Sequence, residues 1–182
     1  MSILKVARMG HPVLRKRARP VDPALVTTPA FQKLIDDMFE TMDAYDGIGL
    51  AAPQVHEGVR LVLVGINSGH GDDEDRDSRD ESLQVLPLIN PEIKPIGRET
   101  GEDWEGCLSL PGLRGRVRRP NEVKISALDR NGKRLELHLH GYPARVSQHE
   151  ADHLDGVLFV DRMKSFETLT FLEEYAKFWA KG

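Results

Sequence analysis

The sequence predicts an α+β fold, with small antiparallel sheets packed around a central helix that carries an HExxH motif and a further helix at the C-terminus. Three observations predict it. Apolar residues recur at helical spacing in separate stretches, two β-rich runs meet at an Asn-Gly turn, and strands and helices do not alternate as βαβ units. At 182 residues the chain is expected to form one domain over 1–182, since a core of this size can bury about 70% of the surface exposed on unfolding.

After an extended opening, Thr28 is placed to cap a helix and Pro29 stands at its first position, where a missing N–H costs nothing. Phe31, Leu34, Ile35, Met38, Phe39 and Met42 form one stripe, with Gln32, Lys33, Asp36, Asp37 and Glu40 opposite. The methionines of that stripe are packing groups. The helix runs out at Asp46-Gly47. Residues 47–55, GIGLAAPQV, are too rich in glycine and small side chains to be regular throughout and read as a shaped loop.

Residues 60–66, RLVLVGI, have the length and β-branched content of a buried strand. They lead into a polar, mostly acidic stretch, 67–82, expected to be a mobile surface loop. It lacks the glycine and terminal-glutamate spacing of a calcium-binding EF-hand. Short strands are expected at 85–89 and 93–96, and longer ones at 122–128 and 133–140, joined through Asn131-Gly132. Leu135, Leu137 and Leu139 then point one way, so His138 and His140 share the opposite face, which we expect to meet solvent. Pro143 begins a helix ending near Gly156, a residue suited to the left-handed position after a helix. A last helix, 167–179, is amphipathic through Leu169, Leu172, Tyr175, Ala176 and Trp179 and should cap the domain.

Hydrophobic residues at 40% and charged residues at 30% exclude wholesale disorder. The net charge of -4 gives no general attraction to nucleic acid or anionic lipid. Arg114, Arg116, Arg118 and Arg119 cluster, but they alternate about Val117 and read as a solvated strand face, so no specific DNA binding is expected. No apolar run is long enough to span a membrane. Cys107 is the only cysteine, which rules out an intrachain disulfide and favours a reducing, cytoplasmic setting.

The chemistry concentrates at His149-Glu150-Ala151-Asp152-His153. Two histidines four residues apart rise on one helix face and can grip one metal ion. Glu150, three residues before His153, can lean over that face and reach a water at the metal, where a general base is needed. A catalytic site of this kind needs a third protein ligand and an open position. No H-x-x-G-x-x-H continuation follows His153, and the later acids Glu167, Glu173 and Glu174 fall in a surface helix. Cys107 is a better third ligand: it lies in EGCLSLPG, a Gly-flanked turn where a thiolate could reach the helix and the next amide N–H could point at a bound oxygen. A zinc endopeptidase and a hydrolase of another formamide remain as alternatives. Retention of metal after Cys107→Ala would mark the former.

Three segments, GIGLAAPQ (47–54), EGCLS (105–109) and QHEADH (148–153), resemble the signature motifs of peptide deformylases, in the same chain order. The likeness runs from residue 3 to about residue 163, and the helix beyond is similar to the C-terminal helix of the bacterial type 1 group. The opening segment, 3–21, resembles the family's N-terminal strand region. The acidic stretch 67–82 is longer and more charged than the usual connection. The resemblance implies that Cys107, His149 and His153 hold one divalent metal ion, Fe(II) in cells, with Zn, Ni or Co in purified protein. It implies Glu150 as general acid/base for attack by metal-bound hydroxide, with the Gln54 amide and the Leu108 N–H facing the reacting oxygen. Gly49 would touch the substrate near the formyl group within a glycine-lined wall that includes Gly47. Ile48 and Tyr142 would line the methionine pocket. The implied reaction removes the N-formyl group from the N-terminal methionine of new proteins and releases formate. The implied partners are N-formylmethionyl nascent peptides. The resemblance also raises ribosome docking as an expectation, with the C-terminal helix as one candidate surface, and a monomer is expected.

Overall fold

Thr28 opens the first helix as expected: its hydroxyl oxygen accepts the Phe31 N–H, and Pro29 stands in the first turn of α1 (Pro29–Ala44). The structure is a computed structural model that describes residues 2–67 and 83–180. Ile35, Met38 and Met42 of α1 are buried against Leu50, Leu61, Leu63 and Ile89, so the predicted stripe is the face that packs.

The segment 47–55 is more ordered than its composition suggests. Gly49–Ala51 forms a short strand, β1, paired antiparallel with β2 (Leu61–Asn67), and Ala52–Val55 then closes into a 3-10 turn. The two strands expected at 85–89 and 93–96 are one, β3 (Leu83–Pro95), with a register shift between Ile89 and Glu92. Asn90, at φ 52°, makes that bulge. Its side chain exchanges two hydrogen bonds with the Val21 backbone, each 2.8 Å, and so turns a break in the pattern into a tie between the opening segment and the sheet. The acidic stretch lies outside the described residues but for Asn67 at the end of β2.

Residues 100–120 form two strands that the sequence reading had not set out, β4 (Thr100–Cys107) and β5 (Leu110–Pro120), paired as a hairpin. Their polar content hid them. Arg119 corrects the picture of a solvated arginine face: it is 5% exposed and ion-paired to Glu105 and Asp152. β6 (Glu122–Leu128) and β7 (Arg134–His140) pair as predicted, the Asp129 carboxylate accepting the Asn131 and Lys133 N–H groups and Gly132 lying at φ 75°. His138 and His140 are exposed, as expected.

Two antiparallel sheets result, β1-β2-β3-β6-β7 and β4-β5 with a third strand, β8 (Thr170–Phe171). The helix α2 (Gly141–Leu154) packs against β1 and β2 of the first sheet and β5 of the second. It starts two residues before Pro143, because Gly141 at φ 62° turns the chain directly out of β7. A single turn, α3 (Phe159–Arg162), follows. The last helix is shorter than its pattern: Thr170 and Phe171 pair with Arg114 and Leu113 on β5, and only α4 (Leu172–Phe178) is helical. An open strand edge offering backbone partners has overridden helical spacing. In the opening segment, 3-10 turns at Pro12–Arg15 and Pro23–Leu25 and one bridge, Arg19 to Val59, stand where a strand region was expected. Among the described residues no helix is long and apolar enough to cross a membrane.

Gly156 sits at φ 76°, and a Cβ there would lie 2.8 Å from the Arg15 backbone carbon and oxygen. Gly156→Ala is expected to destabilise the fold by about 1–3 kcal/mol, lowering Tm by several degrees. An unchanged melting curve would show that the Arg15 turn yields freely.

Candidate metal centre and cleft

The thiol of Cys107 reaches the helix because β4 ends in an irregularity. The β4–β5 register shifts between Gly106 and Cys107, and Cys107 Sγ lies 3.2 Å from His153 Nε2 on α2. One ligand atom each from Cys107, His149 and His153 falls within 4.8 Å of the others. The ring centroids of His149 and His153 are 5.1 Å apart, as the i, i+4 spacing requires.

A carboxylate orients the first imidazole. His149 Nδ1 lies 2.9 Å from Glu105 Oε2, which leaves Nε2 as the metal-facing nitrogen. Glu105 is itself held by Arg119 through two hydrogen bonds of 2.7 and 2.9 Å and by Arg145 at 2.8 Å. Burial alone would raise the Glu105 pKa, but the bonds from Arg119 and His149 hold it well below the usual carboxylate range. Arg119 also reaches Asp152, and Arg162 binds the same carboxylate. The network therefore continues along α2 to Asp152 and on to Arg162 of α3.

Burial likewise opposes ionisation of Cys107, yet the charge of His153 and hydrogen bonds with both histidines draw its pKa well below that of a free thiol. His149 is shifted the other way: burial lowers its pKa, and Cys107 and Glu105 raise it further than burial lowers it. A cation held by the cluster would compete with a proton for the imidazole lone pair. A thiolate and two imidazoles are a donor set suited to zinc, iron(II), cobalt or nickel, and the residues fit one such ion.

Glu150 is 5% exposed, and its Oε2 is a buried oxygen with no hydrogen-bond partner among the described residues. Its pKa is pushed up to about 7 by burial first, with the two histidines partly opposing and Cys107 and Glu105 adding to the rise. Backbone of β1 presses on this carboxylate: a Cβ at Gly49 would fall 2.8 Å from Glu150 Cγ and Cδ. Gln54 lines the same cleft. Its Oε1 accepts the Ala51 N–H at 2.8 Å, so the amide nitrogen points the other way, 3.1 Å from Ser109 Oγ and 3.6 Å from Cys107 Sγ. The opening segment ties these pieces together, the Ala7 N–H donating to Gln54 O and the Met9 N–H to Ser109 O, each at 2.7 Å.

Gly47, Ile48, Gly49, Gln54, Cys107, Leu108, Tyr142, His149 and Glu150, the expected site residues other than His153, all line one cleft of about 1080 Å³. His153 lies beneath it, 1% exposed. Gly47 packs beside Leu108, whose Cδ1 would be 3.2 Å from a Cβ at that glycine. Ile48 is half-buried, and Tyr142 stands 41% exposed on the lining. The sequence reading missed Glu105, Arg119 and Arg145. Signals were available: Glu105 stands inside EGCLS, Arg119 shares the buried face of Val117 two residues earlier, and Arg145 lies four residues before His149 on the same helix face.

A thiolate and two helix-borne imidazoles around one point, with a buried carboxylate at the floor of a cleft, define a metal-dependent hydrolase. The chain belongs to the polypeptide deformylase family, whose model matches residues 3–168. It is 42% identical over 174 residues to a peptide deformylase of Leptospira biflexa, covering 96% of this chain and 95% of the relative. The class I type b peptide deformylase of Acinetobacter baumannii bound to Met-Ala-Ser superposes with a TM-score of 0.78 at 36% identity, over 90% of this chain and 100% of that one. The peptide deformylase of Synechococcus elongatus in complex with actinonin does so at 0.74 and 38% identity, over 89% and 79%. Removal of the formyl group from an N-terminal methionine is the function of this family, and the chain is an enzyme of that activity.

Proposed function

We propose that Cys107, His149 and His153 hold the metal ion of this deformylase and that Glu150 moves the proton. The observation that carries this reading is the meeting of those three ligand atoms within 4.8 Å, beside a buried carboxylate oxygen that accepts no hydrogen bond among the described residues. A divalent ion in that position supplies Lewis acidity, bringing the pKa of water toward neutrality and polarising the formyl oxygen. Fe(II) is the ion we assign in cells, with Zn, Ni or Co replacing it in protein purified in air. The Cys107 ligand argues against an endopeptidase site completed by Glu167, Glu173 or Glu174.

Glu150 accepts the proton of the attacking water and passes it to the leaving amine, so that one carboxyl serves as base and then acid. The Gln54 amide, held by its bond from Ala51, and the Leu108 N–H face the oxygen that gains charge. Donors of this kind are each worth about 3–4 kcal/mol in the barrier. Gly49 beside Glu150 and Gly47 beside Leu108 keep that wall free of side chains and admit a formyl hydrogen where an acetyl methyl would clash. Ile48 and Tyr142 line the side-chain pocket for methionine. Binding of Met-Ala-Ser by the Acinetobacter relative supports a cleft of about 1080 Å³ that takes the first residues of a peptide.

The reading extends to one domain over 1–182, acting as a cytoplasmic monomer on formylated nascent chains. Docking on the ribosome through the C-terminal helix is supported by the exposure of Phe178 and Trp179. Formate release by anaerobically prepared, iron-loaded protein tests the activity. Release from a formyl-Met peptide but not from an acetyl-Met peptide is expected, and equal turnover of both would refute the glycine wall. Gly49→Ala should lower kcat/KM by about 100-fold, the scale of an ångström-sized misplacement, with Tm little changed. A wild-type rate would show that the Glu150 carboxylate has room to move.

A further inference from the structure

The C-terminal segment does more than close the domain, because it returns to the mouth of the cleft. Residues Thr170 and Phe171 pair with Arg114 and Leu113 on β5, and the Arg116 N–H donates to Thr168 Oγ1 at 3.2 Å. The next residue after this strap, Leu172, lines the cleft while remaining 44% exposed. Behind it α4 is seated on Trp104, whose ring lies 5.0 Å from that of Tyr175 and 5.4 Å from that of Trp179. Trp104 also lines the cleft, two residues before the Gly106–Cys107 irregularity. An exposed leucine fixed in place by a strand pair and an aromatic cluster loses little freedom when something covers it.

We propose that Leu172, backed by Trp104, is a specificity-determining wall that receives an apolar side chain from the residues following formyl-methionine. The inference rests on the deformylase reading and assigns a part of the substrate beyond the reacting group. A cleft of about 1080 Å³ is at the upper end of what a drug-sized ligand fills, so peptide past the first residue has room in it. Contact here is remote from Cys107 and Glu150 in kind: it removes apolar surface from water and moves no proton. It therefore acts on KM, or on kcat/KM, through binding.

The test compares formyl-Met-Ala-Ala, formyl-Met-Leu-Ala and formyl-Met-Ala-Leu as substrates of the metal-loaded full chain and of Leu172→Ser and Leu172→Ile. Turnover of formyl-Met-Ala-Ala by the wild type establishes the deformylase reading separately. For one of the leucine peptides the wild type should show a KM about 3- to 10-fold lower than for the alanine peptide. Leu172→Ser should erase that ratio and Leu172→Ile should retain it, with kcat ratios unmoved. Equal KM values for all three peptides in the wild type, or a ratio that survives in Leu172→Ser, would overturn the proposal. Near-wild-type Tm for both variants, measured alongside, separates lost contact from lost fold.

Discussion

Glu150→Gln is expected to slow formate release by about 100- to 10,000-fold, the range that a positioned proton-transfer group contributes. The substitution keeps the volume of a side chain that is only 5% exposed, so the neighbouring backbone at Gly49 meets the same shape. What disappears is the capacity to take a proton from water and return it to the amine. The three ligand atoms are untouched, and metal content measured by atomic absorption should stay at one ion per chain. A variant that retains both its metal and its rate would remove Glu150 from the mechanism. A variant that loses its metal would instead show that the carboxylate supports the ligand cluster.

The second large effect is expected from Cys107→Ala. Loss of a group one step behind a ligand already costs about 10- to 100-fold in affinity or activity, and removal of the ligand itself should exceed that. Dialysed Cys107→Ala protein should contain well under one ion per chain and release formate at a rate near background. The fold should persist, because the domain is held by three apolar clusters, only one of which Cys107 edges. Stoichiometric metal in this variant would favour an endopeptidase-like ligand set, and it would sink the assignment of Cys107. The two variants together separate holding the ion from moving the proton.

Glu105 links the metal site to the rest of the molecule. It meets His149, Arg119 and Arg145 with both carboxylate oxygens. Removing one member would leave buried charge without a partner, which is far more costly than the loss of an exposed ion pair.

Much of the site was legible in the sequence because helices are local objects. The period of 3.6 residues sets His149 and His153 one above the other and brings Glu150 onto their side, whatever else the chain does. The Thr28-Pro29 start of α1 and the Asn131-Gly132 connection of β6 and β7 are likewise decided within a few residues. Cys107 belongs to a different category: no period links it to histidines more than forty residues later, and only its Gly-flanked turn and the likeness of EGCLS to a known motif pointed to it. Its approach to His153 depends on the β4–β5 irregularity and on how the second sheet packs against α2. The same holds for Arg119, whose burial is set by the carboxylates of Glu105 and Asp152, and for Thr170 and Phe171, which take the free edge of β5 instead of extending a helix. Spacing along the chain determined which groups share a face. The tertiary structure decided which faces meet, because pairing of strand edges and desolvation of charges depend on partners that are distant in sequence.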